Sequence, residues 1–467
     1  MRRSRYNWHV LDQALTVSGS PRLRAVVLAV VVGVVLADSS VVILALSDIL
    51  TQFNVSVAHV AWVLTAYNLV LGLAAVPSAF AARRWPRGVF AAGAVLFGAG
   101  SLACALTHHL WPLVGMRCVQ ALGGAMAVCA ALHLLPAVTG SRGAATRLWA
   151  IAGAVGMAVG PAVGGALTQL ISWRSIFILQ VPLAAAALVV AGIPHLAGAR
   201  GAAVERPHWR ANAGLLLVSA GLTAALFLVV LLMIEGWRLR PLTAAVAVSV
   251  MPAAAVIGGR LMGHIGSVWA RASAGALGVG LGLCALAIMP GASIWWTVAP
   301  QLLVGMGLAL AVPALTQAAL ADRAGQEIHG GITIMSRHMG VVLGILLLTP
   351  IFVADMNRQQ SRAENAMTAA LLDAKLDVST KLALADAGER VLASQEAGVP
   401  DITPAFRSIR PSAADRPAYE ALRVTLQHRI ARAATASVAR SFFVAAAMAL
   451  LALLPLLWSR FGRRAVT

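Results

Sequence analysis

Charge is what this sequence has least of. Lys, Arg, Asp and Glu make up 11% of its 467 residues, against about a quarter in a soluble domain, and the mean hydropathy is +0.83. A chain built around one large soluble core is excluded. Cysteine is scarce as well. Cys104, Cys118, Cys129 and Cys284 all sit in apolar runs, none has metal-ligand spacing, and no disulfide framework is implied. A GxxxxGK[ST] phosphate loop is missing, and no residue set has the pattern of covalent or metal chemistry. The chain therefore reads as a non-enzyme without a cofactor. Its first residues are basic and polar rather than a short apolar stretch before a cleavage site, so no cleaved leader is expected. Acid is the rarer sign, with 17 Asp and Glu against 36 Lys and Arg and a net charge of +19. Such a balance raises nucleic-acid binding. The arginines are scattered between apolar runs, however, which is how charges that set membrane topology are distributed, so no nucleic-acid partner is expected.

What the chain has in quantity is long apolar runs. A helix needs about 20 apolar residues to span a bilayer, and twelve stretches qualify: 24–48, 60–82, 89–107, 110–138, 144–170, 176–193, 213–235, 242–262, 272–289, 294–321, 332–353 and 437–458. With the N-terminus in the cytoplasm, nearly all arginines outside the polar stretch 355–437 fall on inner segments, among them Arg22, Arg83, Arg84, Arg87, Arg142, Arg210 and Arg271. The short outer loops hold only Arg174, Arg238 and Arg240. This imbalance places both termini in the cytoplasm. Tryptophans near the ends of the runs, such as Trp62, Trp85, Trp111 and Trp295, fit an interfacial belt. A faint repeat relates Ala79–Phe90 to Gly259–Ala270, each at the second-to-third helix turn of a six-helix half. Two such halves around a midplane site is a recurring transporter design.

The stretch 355–437 is polar and nearly balanced in charge, and it follows an outward-running helix. Tyr419, Leu422, Leu426, Ile430 and Ala433 form a helical stripe, and Asp415 with Pro417 suits a helix start. A second stripe runs through Met367, Leu371 and Leu372, and Pro400, Pro404, Pro411 and Pro417 interrupt the middle. A helical hairpin is predicted, its second arm continuing into the last spanning helix. It is either a solvated insertion, a cap over an exit, or a dock for a periplasmic adaptor.

The most informative segment is GMAVGPAVGGALTQLISWRSIFILQVP, from Gly156 to Pro182. Gly156, Gly160 and Gly164 recur on one helix face, a strip that lets a second helix approach closely. Gly165 adjoins it, and Pro161 predicts a kink. This segment resembles the antiporter signature of helix 5 in proton-coupled exporters of the major facilitator superfamily. Its tail resembles the WR.IF..(N)VP pattern of the drug:proton antiporter branch, usually built from fourteen helices. Leu36-Ala-Asp38-Ser-Ser resembles that branch's helix-1 pattern LD.T.VN.ALP, with Ser40 for Thr, Ile43 for Asn and Ser47 for Pro. GMRCVQALGGAM around Arg117 resembles the helix-4 pattern R..QG.G.A, with Ala121 for the first Gly. The loop pattern G.LaDr.G.r is degraded, because Ala79, Arg83 and Pro86 replace the two glycines and the acid. Arg84 and Arg87 keep its basic character. In the second copy Gly259, Leu261 and Gly266 remain, but Gly263 stands for the acid. The carboxylate–arginine latch is missing from both copies, and Asp322 or Glu327 with Arg83 or Arg84 is expected to serve as a cytoplasmic gate.

Asp38 lies about 21 Å along the first run, near mid-bilayer, where a carboxylate must face a cavity, find a cation or stay protonated. Arg117 lies about 9 Å deep in the fourth run, within side-chain reach if the helices adjoin. In the resembled family helices 1 and 4 both line the cavity. An Asp38–Arg117 pair, broken and remade by proton or substrate, is the expected coupling device, with Glu235 as a second acidic site. Tyr67, Asn68, Gln120 and Gln301 are candidate cavity polars, whereas His133 and His338 read as packing or interface residues.

The resemblance implies an all-α polytopic membrane protein of major facilitator fold: two six-helix bundles with pseudo-twofold symmetry plus an extracytoplasmic helical insertion. The expected divisions are 1–194, a linker at 195–211, 212–354, the insertion 355–436, and 437–467 for helix 12 and tail. It implies a monomer in a bacterial-type cytoplasmic membrane that exports small amphipathic or cationic compounds by alternating access, with protons as coupling ion. A dedicated exporter of an endogenous metabolite or lipid, and a non-transporting scaffold that kept the fold, stay open.

Overall fold

The computed structural model describes residues 21–188, 205–262, 266–320, 325–393 and 402–462, and among them every regular element is a helix. The apolar runs become α1 (Pro21–Ile43), a short α2 (Leu46–Phe53), a single turn α3 (Val57–Val60), α4 (Trp62–Arg84), α5 (Pro86–Leu106), α6 (Leu110–Thr139), α7 (Arg142–Leu170) and α8 (Arg174–Leu188). After residues 189–204 follow α9 (Trp209–Leu231), a π-helical turn Leu232–Gly236, α10 (Pro241–Val248), α11 (Val250–Met262), α12 (Val268–Ala287) and α13 (Ile294–Leu320). Helices α14 (Gln326–Asp373), α15 (Val378–Ala393), α16 (Thr403–Ser408), α17 (Arg416–Leu451) and α18 (Leu453–Gly462) complete the chain. Local signals set the ends. Ser141 Oγ accepts from Ala144 N at 3.1 Å at the start of α7, Pro86 and Pro241 occupy first turns, and Gly140 closes α6 at φ +76°.

Eleven helices among the described residues are long and apolar enough to cross a membrane, not the twelve expected. The expected span 176–193 begins as α8, an apolar helix of 15 described residues that runs up to Leu188, where the description stops. Residues 189–204, which hold most of the expected linker, lie outside the description, as do Gly263, Asp322 and Pro400. α7 runs through Pro161 as one helix.

Glycine sets how the helices meet. A Cβ added at Gly156 would lie 2.2 Å from the Gly33 carbonyl oxygen, one at Gly160 2.2 Å from Ser40 Oγ, and one at Gly164 2.1 Å from the Val41 oxygen. These three residues therefore bring α7 against α1 at backbone contact. Gly165 faces elsewhere, toward Ala245 of α10. The pattern recurs later in the chain: Cβ atoms at Gly340 and Gly344 of α14 would meet the carbonyl oxygens of Leu216 and Ala220 in α9, each at 2.1 Å. The α5–α6 contact through Gly93 and Gly123 is matched by Gly275 and Gly307 between α12 and α13. The earlier and later helices meet along α4 and α14, and along α7 and α10.

The second arm predicted for the polar stretch continues into the last spanning helix: α17 is one helix of 36 residues, α14 likewise runs on for 48, and α15 and α16 lie between them in the chain. The predicted stripe packs there: Tyr419, Leu422, Leu426 and Ile430 are buried. The Tyr419 hydroxyl donates to the Phe406 carbonyl at 2.9 Å, and the two rings stack 5.0 Å apart. Leu371 is partly buried, whereas Leu372 is exposed, and the Met367 side chain lies outside the description. Asp377 caps α15 by accepting from Ser379 N at 3.0 Å and from its hydroxyl, and these bonds hold its carboxyl below the usual range.

Candidate functional site

Asp38, on α1, and Arg117, on α6, form an ion pair with neither side chain exposed. α1 packs on α6, α7 and α8, which closes the pair in from several sides. Arg117 Nη1 also donates to Gln120 Oε1 at 2.7 Å and its Nε to the Val63 carbonyl of α4 at 3.3 Å. The guanidinium lies over the Tyr67 ring at 4.0 Å, with Phe177 5.6 Å away. Both rings face a cation with their electron-rich side. The remaining nitrogen, Nη2, is buried with no hydrogen-bond partner.

On the carboxylate side, Gln180 of α8 donates from Nε2 to Asp38 Oδ1 at 2.6 Å. Gln120 Nε2 donates to Gln180 Oε1 at 2.6 Å and to Ser101 Oγ at 2.8 Å, and Ser101 Oγ donates to Gln180 Oε1 at 2.9 Å. A buried carboxylate is tolerated when cation and hydrogen bonds replace its water shell, and here one arginine and one carboxamide do so directly. Sequence reasoning paired Asp38 with Arg117 and offered Gln120 as a cavity polar, but missed Gln180 and Ser101. Gln180 occupies the position of the bracketed Asn in the WR.IF..(N)VP pattern, so the signal was there. Ser101 is one hydroxyl in an apolar helix and carries none.

The other expected residues separate into distinct places. Tyr67 joins the cage, its hydroxyl donating to the Val35 carbonyl at 3.1 Å. Asn68 sits beside it, donating to the Leu64 carbonyl at 2.8 Å and accepting from Ser39 Oγ at 3.2 Å, with His338 Nδ1 2.7 Å from the same Oδ1. Gln301 bonds to Thr297 of its own helix at 2.9 Å and does not enter the cage. Glu235, in the π-helical turn, accepts from Ser47 Oγ and, at 3.2 Å, from Arg238. It lines a small pocket with Leu50, Val57, Phe352, Met356 and Ser437. The structure thus keeps Glu235 apart from Asp38.

At the arginine-rich end, Glu327 of α14 meets His133 of α6 at 3.5 Å, not Arg83 or Arg84 as expected. Glu327 opens α14, and Gly330, less than one turn further on, packs on Leu132, so His133 is the base within reach. Arg84 lies over the Trp85 ring at 5.2 Å. Among the described residues no group of His, Cys, Asp and Glu could hold a metal ion.

A buried charge cage between helices that meet at glycine contacts is the architecture of a membrane carrier. The Major Facilitator Superfamily profile matches residues 28–348, and the chain belongs to that superfamily. The eleven described helices that are long and apolar enough to cross a membrane agree with that membership. It is 34% identical over 158 residues to the methylenomycin A resistance protein of Bacillus subtilis (33% of this chain, 34% of that protein). It is 38% identical over 169 residues to the lincomycin resistance protein of Streptomyces lincolnensis (35% and 34%). To the tetracenomycin C resistance and export protein of Streptomyces glaucescens it is 32% identical over 200 residues (42% and 37%). The matched stretches thus span about a third of each of these relatives. Among solved structures, a bacterial homologue of the human lysosomal transporter Spinster, in an inward-facing, unoccupied conformation, matches with a TM-score of 0.61. That match has 15% identity and covers 94% of this chain and 98% of that one, a likeness of fold.

Proposed function

We propose that the chain exports small amphipathic compounds in exchange for protons by alternating access, with Asp38 as the proton-carrying group. The buried Asp38–Arg117 pair inside its carboxamide cage supports this reading most directly. A carboxylate so held is stable while ionised. A proton arriving from outside neutralises it, frees Arg117 and removes the attraction that ties α1 to α6. Reorientation then exchanges cargo for proton. Each proton crossing 100 mV supplies about 2.3 kcal/mol. Likeness to three resistance proteins supports cargo of the drug and antibiotic kind.

On this reading both termini are cytoplasmic, the membrane is a bacterial cytoplasmic membrane, and the carrier works as a monomer of two pseudo-symmetric six-helix bundles. The domain divisions set out from the sequence hold with it. Tyr67, Asn68 and Gln120 face the coupling site. Gln301 lines the later half of the path, and Glu235 is a second acidic site near the exit. Gly156, Gly160, Pro161 and Gly164 form the hinge strip between α1 and α7, and Gly165 the contact to α10. Arg83, Arg84 and Arg87 guard the cytoplasmic end together with the His133–Glu327 pair. The outer module of α15, α16 and the ends of α14 and α17 caps the exit or receives a periplasmic adaptor.

The test is uptake of a fluorescent amphipathic compound into everted vesicles energised by respiration, comparing the wild type with Asp38→Asn. Uptake that collapses with an uncoupler and falls at least tenfold in the variant is expected. Equal, uncoupler-sensitive uptake by the variant would remove Asp38 from the coupling step.

A further inference from the structure

Arg337 is a cation without a counter-charge in the middle of the span. It lies eleven residues past the start of the spanning segment Gln326–Gln359, about 17 Å along it. Its guanidinium Nη2 rests on the thioether sulfur of Met157. Met157 belongs to α7, whereas α14 packs chiefly on α4, α9 and α17, so the side chain reaches across the space between the two sets of helices. The described carboxylates of the spanning segments are all engaged elsewhere: Asp38 by Arg117, Glu327 by His133, Glu235 by Arg238, Asp355 by Arg358 and Arg440, and Glu420 by Arg423.

The neighbouring His338 is 3% exposed. Its Nδ1 meets Asn68, and its Nε2 is buried without a partner. Both residues stand at the level of the coupling site, because Asn68 binds Ser39 and the Met157 carbonyl accepts from Ser40 Oγ at 3.4 Å. In this layer Asp38 and Arg117 cancel, and Arg337 leaves one positive charge over. An unpaired guanidinium is costly in the bilayer core, and its planar fork suits a carboxylate. On the α4 side of the same helix, Met339 packs against Gly72.

The geometry points to an anion-recognition site at Arg337, whose guanidinium takes an ionised oxygen acid, such as a carboxylate, on an amphipathic cargo. This rests on the transporter reading above and narrows its cargo from amphipathic or cationic compounds to amphipathic anions. A cationic cargo would meet like charge here. An inside-negative potential also drives an anion outward, in the same sense as an entering proton.

The test is equilibrium binding to the purified full-length protein in lipid nanodiscs, with three probes: a naphthalene carboxylate, its methyl ester, and tetraphenylphosphonium. The wild type should bind the carboxylate at least tenfold tighter than the ester. Arg337→Gln should bring the two to equal affinity, and Arg337→Lys should keep the preference within about threefold. Binding needs no proton gradient, so the wild-type carboxylate preference holds whether or not Asp38 is the coupling residue. Should Arg337→Gln fail to fold, the wild-type preference and the Lys variant carry the test. A wild type that does not bind the carboxylate, that prefers ester or phosphonium, or an Arg337→Gln protein that keeps the preference, overturns the assignment.

Discussion

Helices α1–α8 and α9–α14 are packed by the same device and charged in different ways. Gly156 and Gly164 bring α7 onto α1 as Gly340 and Gly344 bring α14 onto α9. Gly93 with Gly123 and Gly275 with Gly307 do the same for the next pairs. The polar chemistry is not repeated. The first set buries an ion pair with a carboxamide on each partner, Gln120 on Arg117 and Gln180 on Asp38. The second offers Gln301 with its Oε1 unpartnered, His338 with a free Nε2, and Arg337 on a methionine. The lesson is that backbone approach and charge placement are separate properties, so a pair of matching glycine strips does not bring a matching site with it.

The sharpest way to break this contrast is to remove one arginine from each set. Arg117→Met orphans a buried carboxylate and should cost about 3–5 kcal/mol, read as thermal unfolding of the detergent-solubilised protein. Adding Asp38→Asn should recover most of it. Arg337→Met orphans nothing and should be neutral or stabilising. Equal losses from the two substitutions would mean that Arg337 has a partner as strong as Asp38.

Next in size are the glycine contacts. Gly164→Ala and Gly344→Ala each press a methyl group onto a carbonyl oxygen and should each cost about 1–3 kcal/mol. Gly143→Ala, with nothing within 4 Å of the new carbon, should be silent. If Gly344→Ala proved silent too, the packing likeness would fail. A third substitution sharpens the account of the cage. Gln180→Leu strips Asp38 Oδ1 of its 2.6 Å donor and should cost about 1–3 kcal/mol, while the same change at Gln301, whose described bond is to its own helix, should cost less. The smallest effect concerns the arginine-rich end. Glu327→Gln weakens a partly exposed contact and should shift stability by under about 1 kcal/mol. Its larger consequence should be faster labelling of a cysteine placed at Ala79, beneath Gly331.

The spans were legible because burying unpaired backbone in lipid leaves few alternatives to helices, and their predicted bounds differ from the observed ones mostly at the ends. Asp38, Arg117 and Gln120 were legible for a related reason: a charge in an apolar run must find a partner. Gln180 was harder, since a carboxamide satisfies itself with neighbours in many places and only its register against the pattern singles it out. Arg337 falls among the inner-segment arginines when its run begins at 332; the helix begins at Gln326 instead, which sets Arg337 eleven residues inside it. The His133–Glu327 contact was out of reach, because it depends on which two helices of opposite sets come together at one end.

The length of α14 has a mechanical consequence. Arg337 and Asp373 belong to one helix, 36 residues apart, or about 54 Å. A rod of that length is a lever whose short arm lies in the membrane and whose long arm ends beside α15. A tilt of about 5° at Arg337 sweeps Asp373 through about 5 Å, on the helical rise used above. Displacement of the outer module is therefore felt, geared down, as a small tilt at the level of Asp38. Motion at that level is displayed, magnified, at the far end.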